Sequence, residues 1–385
     1  MSREGIAKFF GAFAILCGTI IGVGLFGLPY VASQAGFPIV VLYLAWGTFV
    51  ALLAALMFGE LMYRTPGEHR LPGYVAMHLG RRWGRWVMGS SLIGLFGAQL
   101  VYLLVGGHFL AALARPVWPL PEWVWVVSYA GAGAACIAGS GRRLARSELI
   151  LLPIFFGVMA LVVARVLPFV APAALVRFRP SQAILPYGVV MFSLWGLSAV
   201  AECREYLGRR YAGLLRPVVA ASFIVCAVAY LAFTGAILGA TQSATSPEAL
   251  NGLRLLMGPD IVVWFYVFGV LTTFTSYISF GLTLKKIFVY DARLPTWFGW
   301  AAAVTVPPAF YGLGVTNFIA LMGLVGAVTL GFDAISLLLA YGRAARQPAT
   351  KLPYRLKLTA GTIYALAALL GIGIISTLAH FVYAW

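Results

Sequence analysis

Charge is scarce in this chain. Of 385 residues only 10% are Asp, Glu, Lys or Arg, and 11 acids face 27 bases. So few ionised groups could not cover a soluble domain, and 62% hydrophobic residues with a mean hydropathy of +0.94 exclude one. Cysteine is scarce too. Cys17, Cys136, Cys203 and Cys226 lie in or beside apolar runs without metal-ligand spacing, which excludes a zinc module or disulfide scaffold and predicts free thiols. Paired acids or histidines of the DxxxD or HxxxH kind, usual in membrane-embedded transferases, are missing as well, so an enzyme is not expected. The net charge of +16 would suit a nucleic-acid binder. Its bases, however, are scattered over many short loops, a pattern that orients a chain in a membrane. Lipid, and not nucleic acid, is the expected surrounding.

What is present is a succession of apolar runs, each near the ~20 residues that cross a bilayer. Eleven can be counted, predicting an all-α polytopic membrane protein with 11 transmembrane helices. The first apolar run lacks a small-residue cleavage site and is read as a span, not as a removable signal. The amphipathic stretch Gly73 to Trp86 is expected to be a short interfacial helix, and Gly141 to Glu148 a basic loop. Threading the chain through eleven spans puts every base except Arg115, Arg165, Arg177, Arg179 and Arg254 on one face. The positive-inside rule makes that face cytoplasmic, with the N-terminus inside and the C-terminus outside the cytoplasmic (inner) membrane.

One stretch departs from a plain membrane helix. Cys17 to Pro29 reads CGTIIGVGLFGLP, with Gly18, Gly22, Gly24 and Gly27 closed by Pro29. Glycine is entropically costly in a helix, so a break at mid-depth is expected. Bare peptide groups there need partners, and a charged ligand with a cation can supply them. Gly18-xxx-Gly22 also fits a helix-packing face. The sixth run, LPYGVVMFSLWGLSAVAE from Leu185, is weakened in the same way by Pro186, Gly188, Ser193, Gly196 and Ser198. The two weak spans lie five apart and so run in opposite directions. Disrupted helices in corresponding places of two inverted halves point to a transporter site. The halves would be 1–170 and 171–341, with a basic loop and a last span over 342–385.

The stretch GTIIGVGLFGLPYVASQAGF, Gly18 to Phe37, resembles the first span of amino-acid permeases of the amino acid–polyamine–organocation superfamily. Its flavour is that of the amino acid/auxin permease branch and the bacterial tyrosine/tryptophan permeases. The eleven-span count and the loop SPEALNGL, Ser246 to Leu253, agree. The resemblance implies a five-plus-five inverted repeat of the leucine-transporter type, with broken helices 1 and 6 and one extra helix. It implies a secondary active transporter of neutral, apolar or aromatic amino acids. An amino-acid-binding sensor or channel without coupled transport is the alternative.

On that reading, the free amides of Gly22, Val23 and Gly24 suit a substrate carboxylate, because a half-helix N-terminus is its positive end. The carbonyls of Thr19, Ile20, Phe192 and Ser193 suit the ammonium, with the hydroxyls of Thr19 and Ser193 assisting. Phe192 and Trp195 would shape the side-chain pocket, and Tyr102 could reach the carboxylate. In the eighth span Thr272, Thr275 and Ser276 share one helix face. In the resembled fold such hydroxyls meet the first break, where the carbonyls of Gly18 and Ile21 would complete a sodium shell. Threonine and serine also commonly bond their own helix. Some relatives place a fifth-span lysine here and run on protons. This chain has only Arg165 in that span, so sodium is favoured over a proton. No covalent cofactor is expected. Buried ionisable groups in a membrane are costly and often functional. Asp333 in the tenth span is therefore the candidate proton carrier or gate. Glu202 reads as an interfacial ion pair near Arg204, with a coupling role as the other possibility. Glu60 is expected to pair with Arg64.

Overall fold

The computed structural model describes residues 2–139, 142–249, 253, 259–348 and 352–384. Expectations that fall on 140–141, on 250–252 and 254–258 of the polar loop (Arg254 included), and on 349–351 (Lys351 included) lie outside the described residues. The described chain is helical throughout. The first span is two helices, α1 (Arg3–Ile20) and α2 (Gly24–Ala35), bent by 46°. Ala35 leads through Gly36, at φ 109°, straight into α3 (Phe37–Arg64). That left-handed corner suits glycine, and a Cβ there would strike the Arg177 carbonyl. Next come α4 (Leu71–Leu79), α5 (Arg81–Ala114), α6 (Glu122–Ala138), α7 (Arg142–Val166) and the short α8 (Pro172–Leu175). The sixth apolar run is again two helices, α9 (Leu185–Ser193) and α10 (Leu197–Leu207). The remainder comprises α11 (Leu215–Thr241), α12 (Pro259–Lys286), α13 (Thr296–Gly312), α14 (Phe318–Leu324), α15 (Leu330–Ala344) and α16 (Ala360–Ala384). A π-turn, Val325–Thr329, joins α14 to α15, and another, Ile287–Asp291, ends α12.

By length and composition eight helical stretches, α9–α10 and α14–α15 each taken as one, are able to cross a membrane among the described residues, or nine with the bent α1–α2 pair; α6, at 17 residues, is shorter. Three local expectations are corrected. Arg81 to Trp86 does not belong to an interfacial helix. Gly80, at φ 95°, ends α4, and the arginines form the first turns of a 34-residue α5. The expected basic loop is helical from Arg142, since α7 continues through its arginines. Pro29 does not close the first break either. It sits inside α2, where it has no N–H to donate to the Leu25 carbonyl.

The broken pairs sit at the centre of the molecule. α1 packs on α10, α2 on α9, and α11 and α12 flank them. Small residues permit this closeness. A Cβ on Gly326, in the π-turn, would collide with the Gly188 carbonyl, and one on Gly188 with Gly323. The tenth span therefore rests on the α9 backbone. The lipid-facing side is carried by α7 and α16, whose spanning stretches are the least buried.

Gly326→Ala should lower the stability of the solubilised protein by roughly 1–3 kcal/mol, the usual range for overpacking a tight contact. A thermal-unfolding midpoint equal to that of the parent would refute the backbone contact.

Candidate substrate site at the two broken helices

In the first break Ile21 to Val23 leave the helical path. Ile21 is the last residue to donate back into α1, to the Cys17 carbonyl at 2.7 Å. Donation into α2 resumes only when Leu25 returns to the Gly22 carbonyl at 3.1 Å and Phe26 to the Val23 carbonyl at 3.0 Å. In the second break Leu194 donates to Val190 at 3.1 Å and Trp195 to Phe192 at 3.2 Å, and the helix restarts when Ala199 reaches Gly196 at 3.1 Å. The two breaks touch. A Cβ on Gly24 would run into Ser193, one on Gly196 into Ile20, and one on Gly22 into the Tyr102 ring. Glycine at these points leaves room for Ser193, Ile20 and Tyr102 to close on the breaks.

One side chain joins them. The Tyr230 hydroxyl, from α11, donates to the Ile20 carbonyl at 2.5 Å and to the Ser193 carbonyl at 3.0 Å. The same oxygen faces the Gly22 amide, while the Tyr102 hydroxyl faces the Val23 amide and Ser276. Both tyrosines are fully buried in the bundle. The orphaned peptide groups of the two breaks are thus answered by two phenols.

The candidate residues divide. Gly18, Ile20, Gly22, Val23, Gly24, Tyr102, Phe192, Ser193 and Ser276 come together at the breaks. Phe192 packs 6.3 Å from the Tyr102 ring, and Phe280 lies 5.4 Å from it, giving the site an aromatic wall. Ser276 donates to the Gly18 carbonyl at 3.2 Å. The hydroxyls of Thr19 and Ser193 turn back to Ile15 at 3.0 Å and Val189 at 2.7 Å, so both residues offer the site only backbone. Thr272 and Thr275 also bond their own helix, to Phe268 at 3.1 Å and Thr272 at 3.2 Å. Trp195 lines a cavity of about 40 Å³ together with Arg70, Ser91, Ser198 and Asp333.

The basic face is closed by an ion-pair cluster. Glu202 does not pair with Arg204; it binds Arg70 at 2.9 Å and Lys286 at 2.7 Å, and Glu205 joins both. Arg204 instead donates to the Tyr74 hydroxyl and lies over the Tyr63 ring. Burial disfavours the Arg70 cation, but Glu202 and Glu205 more than offset this and hold its pKa above the usual arginine value. The Arg70 amide also donates to Asp291, which pairs with His69 at 3.2 Å. Glu60 does pair with Arg64, at 2.7 Å, and it also accepts from the Tyr341 hydroxyl and the Leu356 amide. At the other end of the bundle a pocket of about 510 Å³ opens beside Tyr30, Gln34, Asn317 and His380.

The profile of the tryptophan/tyrosine permease family matches residues 6–380. The chain belongs to that family. Solved structures agree on the fold. One is Mhp1, a nucleobase-cation-symport-1 family transporter, in a closed conformation with bromovinylhydantoin bound. It is 14% identical, with a TM-score of 0.66 over 86% of this chain and 77% of its own. Another is the Eremococcus coleocola manganese transporter in complex with an aromatic bis-isothiourea substituted compound. It is also 14% identical, with a TM-score of 0.66 over 97% of this chain and 87% of its own. No curated protein sequence matches significantly. The permease is therefore an integral membrane transporter with the leucine-transporter-type fold expected from its first span, and it is not an enzyme.

Reading the sequence missed Tyr230, Arg70, Lys286 and Ser91. A tyrosine within an apolar span carries no mark of what lies opposite it. Arg70 and Lys286 looked like ordinary loop and helix-end bases. Tyr230→Phe in the permease should leave two buried carbonyls short of a donor and cost about 1–3 kcal/mol. A thermal-unfolding midpoint matching the parent would show that the bridge contributes nothing.

Proposed function

We propose that this permease imports aromatic amino acids by cation-coupled alternating access. The observation that carries the reading is the Tyr230 bridge, which puts the two breaks side by side in a buried, aromatic-walled place. The substrate carboxylate meets the amides of Gly22, Val23 and Gly24 at the positive end of α2. Its ammonium meets the carbonyls of Ile20 and Ser193, displacing the Tyr230 hydroxyl, with Thr19 and Phe192 carbonyls beside them. Neither break holds a charged side chain, so a zwitterion enters without leaving a net charge behind. Phe192, Phe280 and Tyr102 stack on an indole or phenol ring, where offset aromatic contacts add about 0.5–1.5 kcal/mol each. The family's name supports tryptophan or tyrosine as cargo.

In this proposal the basic face is cytoplasmic and the 510 Å³ pocket opens outside. The Arg70–Glu202–Glu205–Lys286 cluster then latches the cytoplasmic side. The segments 1–170 and 171–341 form the inverted halves that rock about the site. Counting α6 and α13 as spans, with each broken pair as one, gives the eleven crossings. Two places could take the coupling cation. At the first, by Gly18 and Ile21, only Ser276 of three eighth-span hydroxyls turns toward the break. The second is Asp333.

Proteoliposomes should accumulate labelled tryptophan or tyrosine under an imposed ion gradient, and they should exchange it without one. Gly24→Leu should abolish both, because the added side chain occupies the place of Ser193. Uptake of an aromatic amino acid that never saturates, or Gly24→Leu with parental affinity, would contradict the assignment.

A further inference from the structure

The cavity on the basic side of the breaks contains polar atoms that the substrate site does not use. Asp333 is 3% exposed and Arg70 4%. One Asp333 oxygen accepts from Ser91 at 2.6 Å; Oδ1 has no partner. The Arg70 Nη2 is bound to Glu202 and Glu205, yet its Nε has no partner. Ser198 Oγ, on the same cavity wall, is also unpartnered. The cavity's 40 Å³ admits a few waters. Among the described residues no cation lies within ion-pair distance of Asp333. A buried carboxylate without a counter-charge is strongly disfavoured, so in this arrangement the group carries a proton.

We propose that Asp333 is the proton-carrying site of the transport cycle, and that Arg70 answers its charge. When Asp333 Oδ1 releases its proton to cavity water and on to the cytoplasm, the new carboxylate draws the Arg70 guanidinium off Glu202 and Glu205. Lys286 keeps both glutamates on α12, but without Arg70 nothing in the cluster ties the start of α4 to α10, and that latch opens. Reprotonation returns Arg70 to the glutamates. The other charged and titratable groups on elements packed against α15 are occupied or remote. On α3, Glu60 is held by Arg64, Tyr341 and the Leu356 amide. On α4, His78 bonds Thr65. From α5, Ser90 faces the carboxyl together with Ser91, while Arg81, Arg82 and Arg85 are exposed at the helix start. On α9, Tyr187 abuts Gly373 of α16. Tyr364 and His380 lie near the two ends of α16, and Arg343 is beyond Tyr341 on α15 itself. Arg70 is the charged side chain that shares the cavity with Asp333.

This inference rests on the transporter reading, but the deciding experiment needs no substrate. Hydrogen–deuterium exchange of α4 and α10 is followed in the solubilised protein from mildly acidic to mildly alkaline pH, with α11 as the reference for intrinsic base catalysis. The parent should gain about tenfold in exchange relative to α11 as the latch opens, and Asp333→Asn should stay flat. Ser91→Ala removes a donor that favours the ionised form, so its transition should move to higher pH. In proteoliposomes Asp333→Asn should keep substrate exchange and lose accumulation driven by a pH gradient. The proposal is overturned if Asp333→Asn opens with the parent's pH profile, if Ser91→Ala leaves the transition where it was, or if the parent's latch ignores pH. A parent that shows the pH-dependent opening but transports no aromatic amino acid would overturn the substrate assignment and leave the switch standing.

Discussion

A peptide group set loose in hydrocarbon has to find a partner, and the architecture of this permease follows from that requirement. Two spans come unwound near the middle of the bundle, and their exposed carbonyls and amides cannot turn to water. Tyr230 supplies one. One phenol bridges Ile20 on one break and Ser193 on the other, and the Tyr102 hydroxyl faces Val23. A substrate zwitterion offers the same chemistry in a stronger form, with charged donors and acceptors in place of neutral ones. In the proposed binding mode the aromatic clasp and the cargo compete for one set of backbone groups.

Packing then positions everything else. Gly24 and Gly196 leave room for Ser193 and Ile20 of the opposite breaks, Gly22 leaves room for the Tyr102 ring, and Gly188 and Gly326 bring the tenth span against α9. That contact fixes the level of α15 and hence of Asp333, which meets Ser91 on α5. The ion cluster on the basic face ties the loop before α4 to α10 and α12. Arg70 belongs both to this cluster and to the lining of the Asp333 cavity, so one side chain borders both the ion cluster and the buried acid.

The breaks were legible in the sequence because glycine in an apolar run has few uses other than weakness or close approach, and here it serves both. Asp333 was legible because an acid at bilayer depth needs a reason. The partners were not legible. Nothing distinguishes Tyr230 from Tyr277 or Tyr129 along the chain; only the fold brings its hydroxyl to two breaks. Trp195 lies three residues after Phe192, within the same break, yet it lines the cavity of Arg70 and Asp333, while Phe192 packs against Tyr102. Helical spacing puts the three eighth-span hydroxyls on one face, but Thr272 and Thr275 bond their own helix, a choice that spacing leaves open. The boundary of α4 was misread because the amphipathic pattern runs across Gly80, whose left-handed φ ends one helix and starts the next.

The central claim is that bare peptide groups of two broken spans hold the substrate. The most direct measurement is a structure of the permease with tryptophan bound. The account predicts density between α2 and α9, with the carboxylate in hydrogen-bond reach of the Gly22 to Gly24 amides and the Tyr230 hydroxyl displaced from Ile20 or Ser193. Tryptophan bound only in the outer pocket near His380, with the Tyr230 bridge intact, would contradict it.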